Sequence, residues 1–295
     1  MKVIRSRLLG FCMGVRRAVD MAMDETAAGK SGAVYTIGPL IHNPRVLEDL
    51  RKRGVRVLGD GEMPDSSEKA TVIIRAHGVA PLVEEELARS GTRIVDATCP
   101  HVKASQRKAR SFAEKGFRIF LAGEKNHGEI AGIRGYVELA SGGNPASCQI
   151  VGSPEEAERA GEALSALEPS ARTALIGQTT ISAGEYRAIA EKLEAYFPDI
   201  EIPDTICGGA HAERQKALTE LCGEADAIII AGGRESANTR RLLRLALDLG
   251  KPAWLVEGPE DLPPEIGSYG TVGLGAGAST PDSQIDEIEE ALKKK

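Results

Sequence analysis

The stretch "RIVDATCPHVKAS", residues 93–105, runs from a short apolar strand pattern into a cysteine and then into a helical pattern. Ile94 and Val95 are β-branched and suit a strand, and Pro100 suits the first position of a helix. A cysteine at such a seam faces backbone N–H groups and the positive end of a helix dipole, both of which favour the thiolate. Cys99 therefore reads as presented to a ligand, against the plainer alternative of a cysteine buried for packing. The choice turns on whether the pattern recurs.

It recurs twice. Cys12 ends "RSRLLGF" and precedes the helical "VRRAVDMAMDETAAG"; Cys207 ends "IEIPDTI" and precedes "HAERQKALTELCG". Roughly thirty residues after each cysteine a strand pattern ends in a polar group: His42, His127 and Ser236. Next comes a strand with acids after it, "VLGDGE", "IVGSPEE" and "LVEGPED". A last strand in each copy ends at His77, Thr179 and Ser279, and a helix begins there. The expected fold is α/β: three similar units with small parallel sheets in a pseudo-threefold arrangement around one site. The units are read as residues 13–98, 99–206 and 207–280, with 1–12 and 281–295 as terminal segments packing on the core.

The rest of the chain agrees. Runs such as "AVYTIG", "TVIIRAHG", "FRIFLAGE", "TALIGQTT", "AIIIAGG" and "TVGLGAGAS" alternate with amphipathic helices, the signature of parallel sheets with crossover helices. "NPRVLEDLRKRG" opens with Asn-Pro and closes with Gly, and "TPDSQIDEIEEALKKK" carries acids early and lysines late, matching the dipole. "GDGEMPDSSEK" and "ASGGNPASC" read as surface loops.

Composition narrows the function classes. The 295 residues are 27% charged and 4% aromatic, with a net charge of −6, which argues against nucleic acid and against an anionic membrane surface. No apolar run approaches the roughly 20 residues of a spanning helix. The start, "MKVIRSRLLGFCMGVRR", puts arginines directly after its apolar stretch and has no small-residue cleavage site, so a cytoplasmic location is expected. Five cysteines at wide spacing (12, 99, 148, 207, 222) suggest catalysis or metal in a reducing compartment, not disulfides.

Ligands of open α/β sheets bind beyond the carboxyl ends of the strands. Three units facing one centre would gather Cys12, Cys99 and Cys207 with His42, His77, His127, Thr179, Ser236, Asn238 and Ser279 around them. Helix N-termini ringed by imidazole and hydroxyl donors suit a phosphate or diphosphate, although a strand-end His or Ser is also a common helix cap. Three thiolates suit a soft metal centre. Zinc wants four ligands, usually with a close Cys-x-x-Cys pair that is missing here. A cubane iron–sulfur cluster normally takes four cysteines, and three would leave one iron open. Cys148, in a Gly/Ser/Pro loop, and Cys222, inside a helix, read as non-ligands.

"GFCMGVRRAV", "IHNP", "RAHGV", "DATCPHVKAS", "GEKNHGEIAG", "GQTT", "DTIC", "ESANTRRL" and "GAGASTPD" occur in this order, and through them the chain resembles the 4-hydroxy-3-methylbut-2-enyl diphosphate reductase (LytB) family over nearly its whole length. The resemblance implies three α/β units around a [4Fe-4S] cluster held by Cys12, Cys99 and Cys207, with one iron open to substrate. It implies two-electron removal of an allylic hydroxyl, giving isopentenyl and dimethylallyl diphosphates, with a ferredoxin or flavodoxin as electron donor. It further implies a diphosphate clamp of His42, His77, His127, Thr179, Ser236, Asn238 and Ser279, and Glu129 as the proton source.

The sequence also departs from that pattern. The family's threonine three residues after the third cysteine is Ala210 here, one extra residue separates Cys207 from Arg214-Gln215, and His211 is new. A second serine often found after Ser236 is Ala237. Two alternatives stay open on this ground: a divergent paralogue reducing another compound on the same cluster, and a non-catalytic iron–sulfur sensor. "GLGAGA" (273–278) fits a dinucleotide loop, but the chain ends before a second strand and its ribose-binding acid could occur.

Overall fold

The structure is a computed structural model; it describes residues 1–27, 32–59, 61–65 and 69–295, with the side chains of 208–211 excepted. The chain begins with β1 (Lys2–Arg5), α1 (Met13–Glu25), β2 (Ala33–Ile37), α2 (Pro44–Lys52), β3 (Val55–Leu58), β4 (Ala70–Ile74) and α3 (Pro81–Arg89). It continues through β5 (Arg93–Asp96), α4 (Pro100–Glu114), β6 (Arg118–Ala122), α5 (Gly128–Ala140), β7 (Cys148–Val151), α6 (Pro154–Leu167), β8 (Thr173–Gly177) and α7 (Ala183–Glu194). The last elements are α8 (Gly208–Glu224), β9 (Ala227–Ala231), α9 (Ala237–Asp248), β10 (Ala253–Val256), β11 (Thr271–Ala276) and α10 (Asp282–Lys293).

The strands form three small sheets with one wiring. The first runs β1-β11-β9-β10 and the second, read from its other edge, β5-β4-β2-β3. The third runs β8-β6-β7, and beside β8 Glu201 makes a single parallel bridge to Ala174. In every sheet the strand that leads to a cysteine lies next to the last strand of its set, then the first, then the second. The α/β class expected from the sequence is borne out. Two strands are shorter than their sequence suggests: the run before Cys12 is a strand only over Lys2–Arg5, and the run before Cys207 is reduced to the bridge at Glu201.

Both faces of the central strands are covered, which explains their near-continuous apolar sequences. In β6, Ile119 and Leu121 pack against Ala109, Ala113, Ile130 and Ile133 of α4 and α5, while Phe120 and Ala122 pack against α6 and α7 through Ala157, Ala160 and Ile189. In β9, Ile228 and Ile230 face Leu218, Leu221 and Leu242, and Ile229 faces Ile285 and Ile288 of α10. Such two-sided burial fixes the strands rigidly and leaves their carboxyl ends as the positions free to carry polar chemistry.

By compactness the chain divides into two units. One comprises Met1–Ala28, Pro39–Arg56 and Gly208–Lys295; the other comprises Gly29–Gly38 and Val57–Cys207. The first holds the sheet of β1, β9, β10 and β11, and the second holds the sheet of β6, β7 and β8. Among the described residues, no helix is long and apolar enough to cross a membrane.

Candidate active site

The five cysteines are all thiols and fall into two kinds. Cys12, Cys99 and Cys207 are partly exposed, while Cys148 and Cys222 are buried. Cys12 caps α1 and Cys99 caps α4, neither with a side-chain cap hydrogen bond, and Cys207 directly precedes α8. All three are set by the same backbone contact. The Cys12 N–H donates to the Ala278 carbonyl (3.0 Å), Cys99 to Ala76 (2.9 Å) and Cys207 to Thr179 (2.9 Å). Each acceptor is Thr179 itself or the residue just before His77 or Ser279. The cysteine seam and the last-strand polar residue are thus tied together three times over. Cys148 differs from its sequence reading, since it begins β7 opposite Ile119 instead of lying in a loop. Its burial pushes the thiol up to about 12, and burial also raises Cys222. Both are packing residues in apolar clusters.

Local side chains explain why two of the cysteine approaches bend as they do. In "DATC" the Asp96 carboxylate accepts the Thr98 N–H (2.9 Å), closing an Asx turn that delivers Cys99. Burial would raise the Asp96 pKa, but hydrogen bonds from Lys103 and Thr98 outweigh it and hold the group low. In "DTIC" the buried Thr205 hydroxyl accepts the Gly177 N–H at the end of β8 (2.9 Å), and Lys108 donates to the Asp204 carbonyl (2.6 Å).

Within the second unit, His77, His127, Glu129 and Thr179 form two contacting pairs. The His77 and His127 rings meet edge to face at 5.1 Å between centroids. Glu129 is fully buried, and both its oxygens accept from Thr179: Oε1 from the N–H at 2.6 Å and Oε2 from the hydroxyl at 2.9 Å. His127 caps α5, its Nδ1 accepting the Glu129 N–H at 3.2 Å. That bond assigns the imidazole proton to Nε2 and leaves Nε2–H as a donor. The loop carrying these groups is locked by Gln178, itself fully buried. Gln178 Oε1 accepts the Glu124 N–H (2.9 Å) and Nε2 donates to Thr180 Oγ1 (2.6 Å). Gly123 is required there, because a Cβ would fall 2.6 Å from Gln178 Oε1.

Within the first unit a different set converges. Ser279 Oγ donates to the His42 carbonyl (3.2 Å) and lies 3.5 Å from Ser236 Oγ. Ser236 caps α9 by accepting the Thr239 N–H (3.3 Å). Asn238, buried on the first turn of α9, has an Nδ2 with no partner among the described residues. An orphaned buried amide donor beside a helix N-terminus and two hydroxyls is suited to an anion. His42 is not a cap. The cap of α2 is its neighbour Asn43, whose Oδ1 accepts Val46 N–H (3.2 Å) and whose Nδ2 donates to Gln284 (2.8 Å). Of the seven expected clamp residues, only His127 and Ser236 double as helix caps.

No local signal marks Gln178 or Thr205 as supports, since their partners lie far along the chain. Asn43 does carry one, Asn before Pro at a helix start, beside the histidine that sequence reasoning singles out. Ala210 and His211 fall among residues 208–211, whose side chains lie outside the described residues.

Three sheets of one wiring, each bringing a cysteine seam to a strand end with His, Thr or Ser, define a repeated α/β protein. The model of the LytB protein family matches residues 3–293, and the chain belongs to that family. It is 45% identical over 321 aligned positions to the 4-hydroxy-3-methylbut-2-enyl diphosphate reductase of Treponema pallidum, covering 99% of this chain and 83% of that one. Among solved structures, it resembles the E-1-hydroxy-2-methyl-but-2-enyl-4-diphosphate reductase of Plasmodium falciparum (TM-score 0.86, 26% identity, covering 98% and 87% of the two chains). It also resembles an (E)-4-hydroxy-3-methyl-but-2-enyl diphosphate reductase described as the terminal enzyme of the non-mevalonate pathway (TM-score 0.71, 33% identity, covering 100% of both).

Proposed function

We propose that this chain reduces 4-hydroxy-3-methylbut-2-enyl diphosphate to isopentenyl and dimethylallyl diphosphates, with a [4Fe-4S] cluster held by Cys12, Cys99 and Cys207. The observation that carries the reading is the threefold contact between a partly exposed cysteine and a strand end bearing a polar side chain. The thiols present fit an iron–sulfur group: three lie partly exposed at helix starts, and the two others are buried, with their pKa raised by that burial. The repeated wiring likewise supports three units, 13–98, 99–206 and 207–280, flanked by the segments 1–12 and 281–295.

The reaction consumes two electrons and two protons: the hydroxyl leaves as water and a hydrogen is added to the allyl skeleton. When bound, the cluster supplies an open Lewis-acidic iron and the electrons, delivered to it by a ferredoxin or flavodoxin. The chain supplies the rest. We assign His42, His77, His127, Thr179, Ser236, Asn238 and Ser279 as the hydrogen-bond donors to the diphosphate. His127 donates through Nε2–H while Nδ1 remains engaged with α5. Glu129 supplies a proton through Oε2, 2.9 Å from Thr179 Oγ1. The Thr179 hydroxyl both donates and accepts, so it passes a proton without moving its backbone. Full burial of Glu129 keeps that proton from bulk water.

The test is anaerobic turnover of reconstituted protein with a chemical one-electron reductant, tracking both product diphosphates. Turnover establishes the reductase. A fully loaded protein that forms neither product contradicts it and favours a paralogue, the reading to which Ala210 and the buried Ala237 point.

A further inference from the structure

At the approaches to Cys99 and Cys207 the cations are Lys103, half-buried against the Asp96 carboxylate, and the exposed Lys108 on the Asp204 carbonyl. The approach to Cys12 is pinned by a buried cation. Arg214 reaches from α8 and is 3% exposed. Its Nη1 donates to the carbonyls of Leu8 (3.3 Å) and Ala276 (3.0 Å), and its Nη2 to Gly10 (3.0 Å). Gly10 lies two residues before Cys12, and Ala276 two residues before Ala278, whose carbonyl takes the Cys12 N–H. The guanidinium therefore clips together both segments that position this cysteine.

Its charge is unusual. A guanidinium stays protonated in proteins, and a buried one ordinarily faces a carboxylate. Among the described residues Arg214 has no carboxylate within ion-pair reach; its partners there are three carbonyls, and Nε has none. Burial lowers its pKa, and the one charge that opposes this is Cys12. Carbonyl dipoles alone compensate a buried cation poorly. The arrangement makes sense when the anion it awaits is on the Cys12 sulfur.

We infer that Arg214 is a positioning and charge-balancing residue: it is the buried counter-charge of the iron–sulfur group ligated by Cys12, and it favours that group's reduced form. This rests on the proposed ligation of a cluster by Cys12, Cys99 and Cys207. A group held by three thiolates becomes more negative when it accepts an electron, so a nearby fixed positive charge raises its midpoint potential, net charge being one of the settings of such potentials.

The experiment is an anaerobic redox titration of reconstituted parent, R214Q and R214K with dithionite, monitored by the electron paramagnetic resonance signal of the reduced cluster. R214K keeps the charge and holds a potential near the parent's. R214Q removes it, and at any fixed potential its reduced-to-oxidised ratio falls tenfold or more, a negative shift of about 59 mV or more for a one-electron couple. Loaded R214Q at the parental potential overturns the inference and leaves the reductase reading standing. A parent that takes up no cluster overturns both. If R214Q folds by circular dichroism but holds no iron, R214K decides: iron retained in R214K ties retention to the charge and supports the inference. Equal loss in both reduces Arg214 to a shape-filling clip and overturns it.

Discussion

Two strand-end clusters stand on the same scaffold and carry different chemistry. In the first unit, Ser236, Asn238 and Ser279 gather hydroxyl and amide groups and the His42 carbonyl, with a buried donor left over. In the second, His127 and Thr179 hold Glu129, a fully buried acid whose two oxygens are both engaged. The backbone solution is common to both: a parallel strand ends and a helix begins, and a cysteine N–H locks the last strand's end. What differs is the side chain at the junction. The first cluster holds no acid and suits binding; the second adds an acid, which also suits it to moving a proton.

That contrast is broken most forcefully at Glu129. Glu129→Gln keeps the size and keeps an acceptor for the Thr179 N–H, and the Thr179 hydroxyl turns to accept from the new amide. The fold and the cluster therefore survive, but the proton is gone. We expect kcat to fall by roughly 10²–10⁴-fold, the usual worth of a general acid, with KM little changed. Parental turnover places the acid elsewhere, with His211 the first residue to examine.

The donor cluster gives the complementary and smaller effect. Asn238→Ala removes one buried hydrogen bond to a charged ligand, worth about 1.5–3 kcal/mol. KM for the diphosphate should rise by roughly ten- to a hundredfold while kcat stays within a few-fold of the parent. A variant that loses kcat at unchanged KM shows that the first unit takes part in the chemistry and contradicts a binding-only role for its cluster.

The repeat is readable in the chain because every copy obeys the same local rules: β-branched runs with period-independent apolarity, a polar residue at the strand end, and a helix start. "TALIGQTT" and "AIIIAGG" announce buried parallel strands without any tertiary information. Cys99 can be told from Cys148 by its successors in the chain, Pro100 and a helix, and the structure gives the physical difference as exposure and a raised thiol. Partnerships across long separations cannot be read. Nothing local joins Arg214 to Leu8, or Gln178 to Glu124, because such pairs arise from packing of elements, not from spacing. Strand length near Cys12 and Cys207 is overestimated for the same reason. "RSRLLGF" and "IEIPDTI" have strand-like composition, but the chain turns away from the sheet edge to deliver the cysteine.

The most direct measurement is the iron and acid-labile sulfide content, with the Mössbauer spectrum, of anaerobically purified parent beside Cys12→Ala, Cys99→Ala, Cys207→Ala, Cys148→Ala and Cys222→Ala. The parent, Cys148→Ala and Cys222→Ala should each carry about four iron atoms per chain with one iron distinct from the others, as a cubane with three thiolate ligands requires. Each of the three seam variants should lose the cluster. A Cys99→Ala protein that retains a complete cluster, or a cluster lost with Cys148→Ala, contradicts the assignment of the repeated strand–helix seams as the metal site.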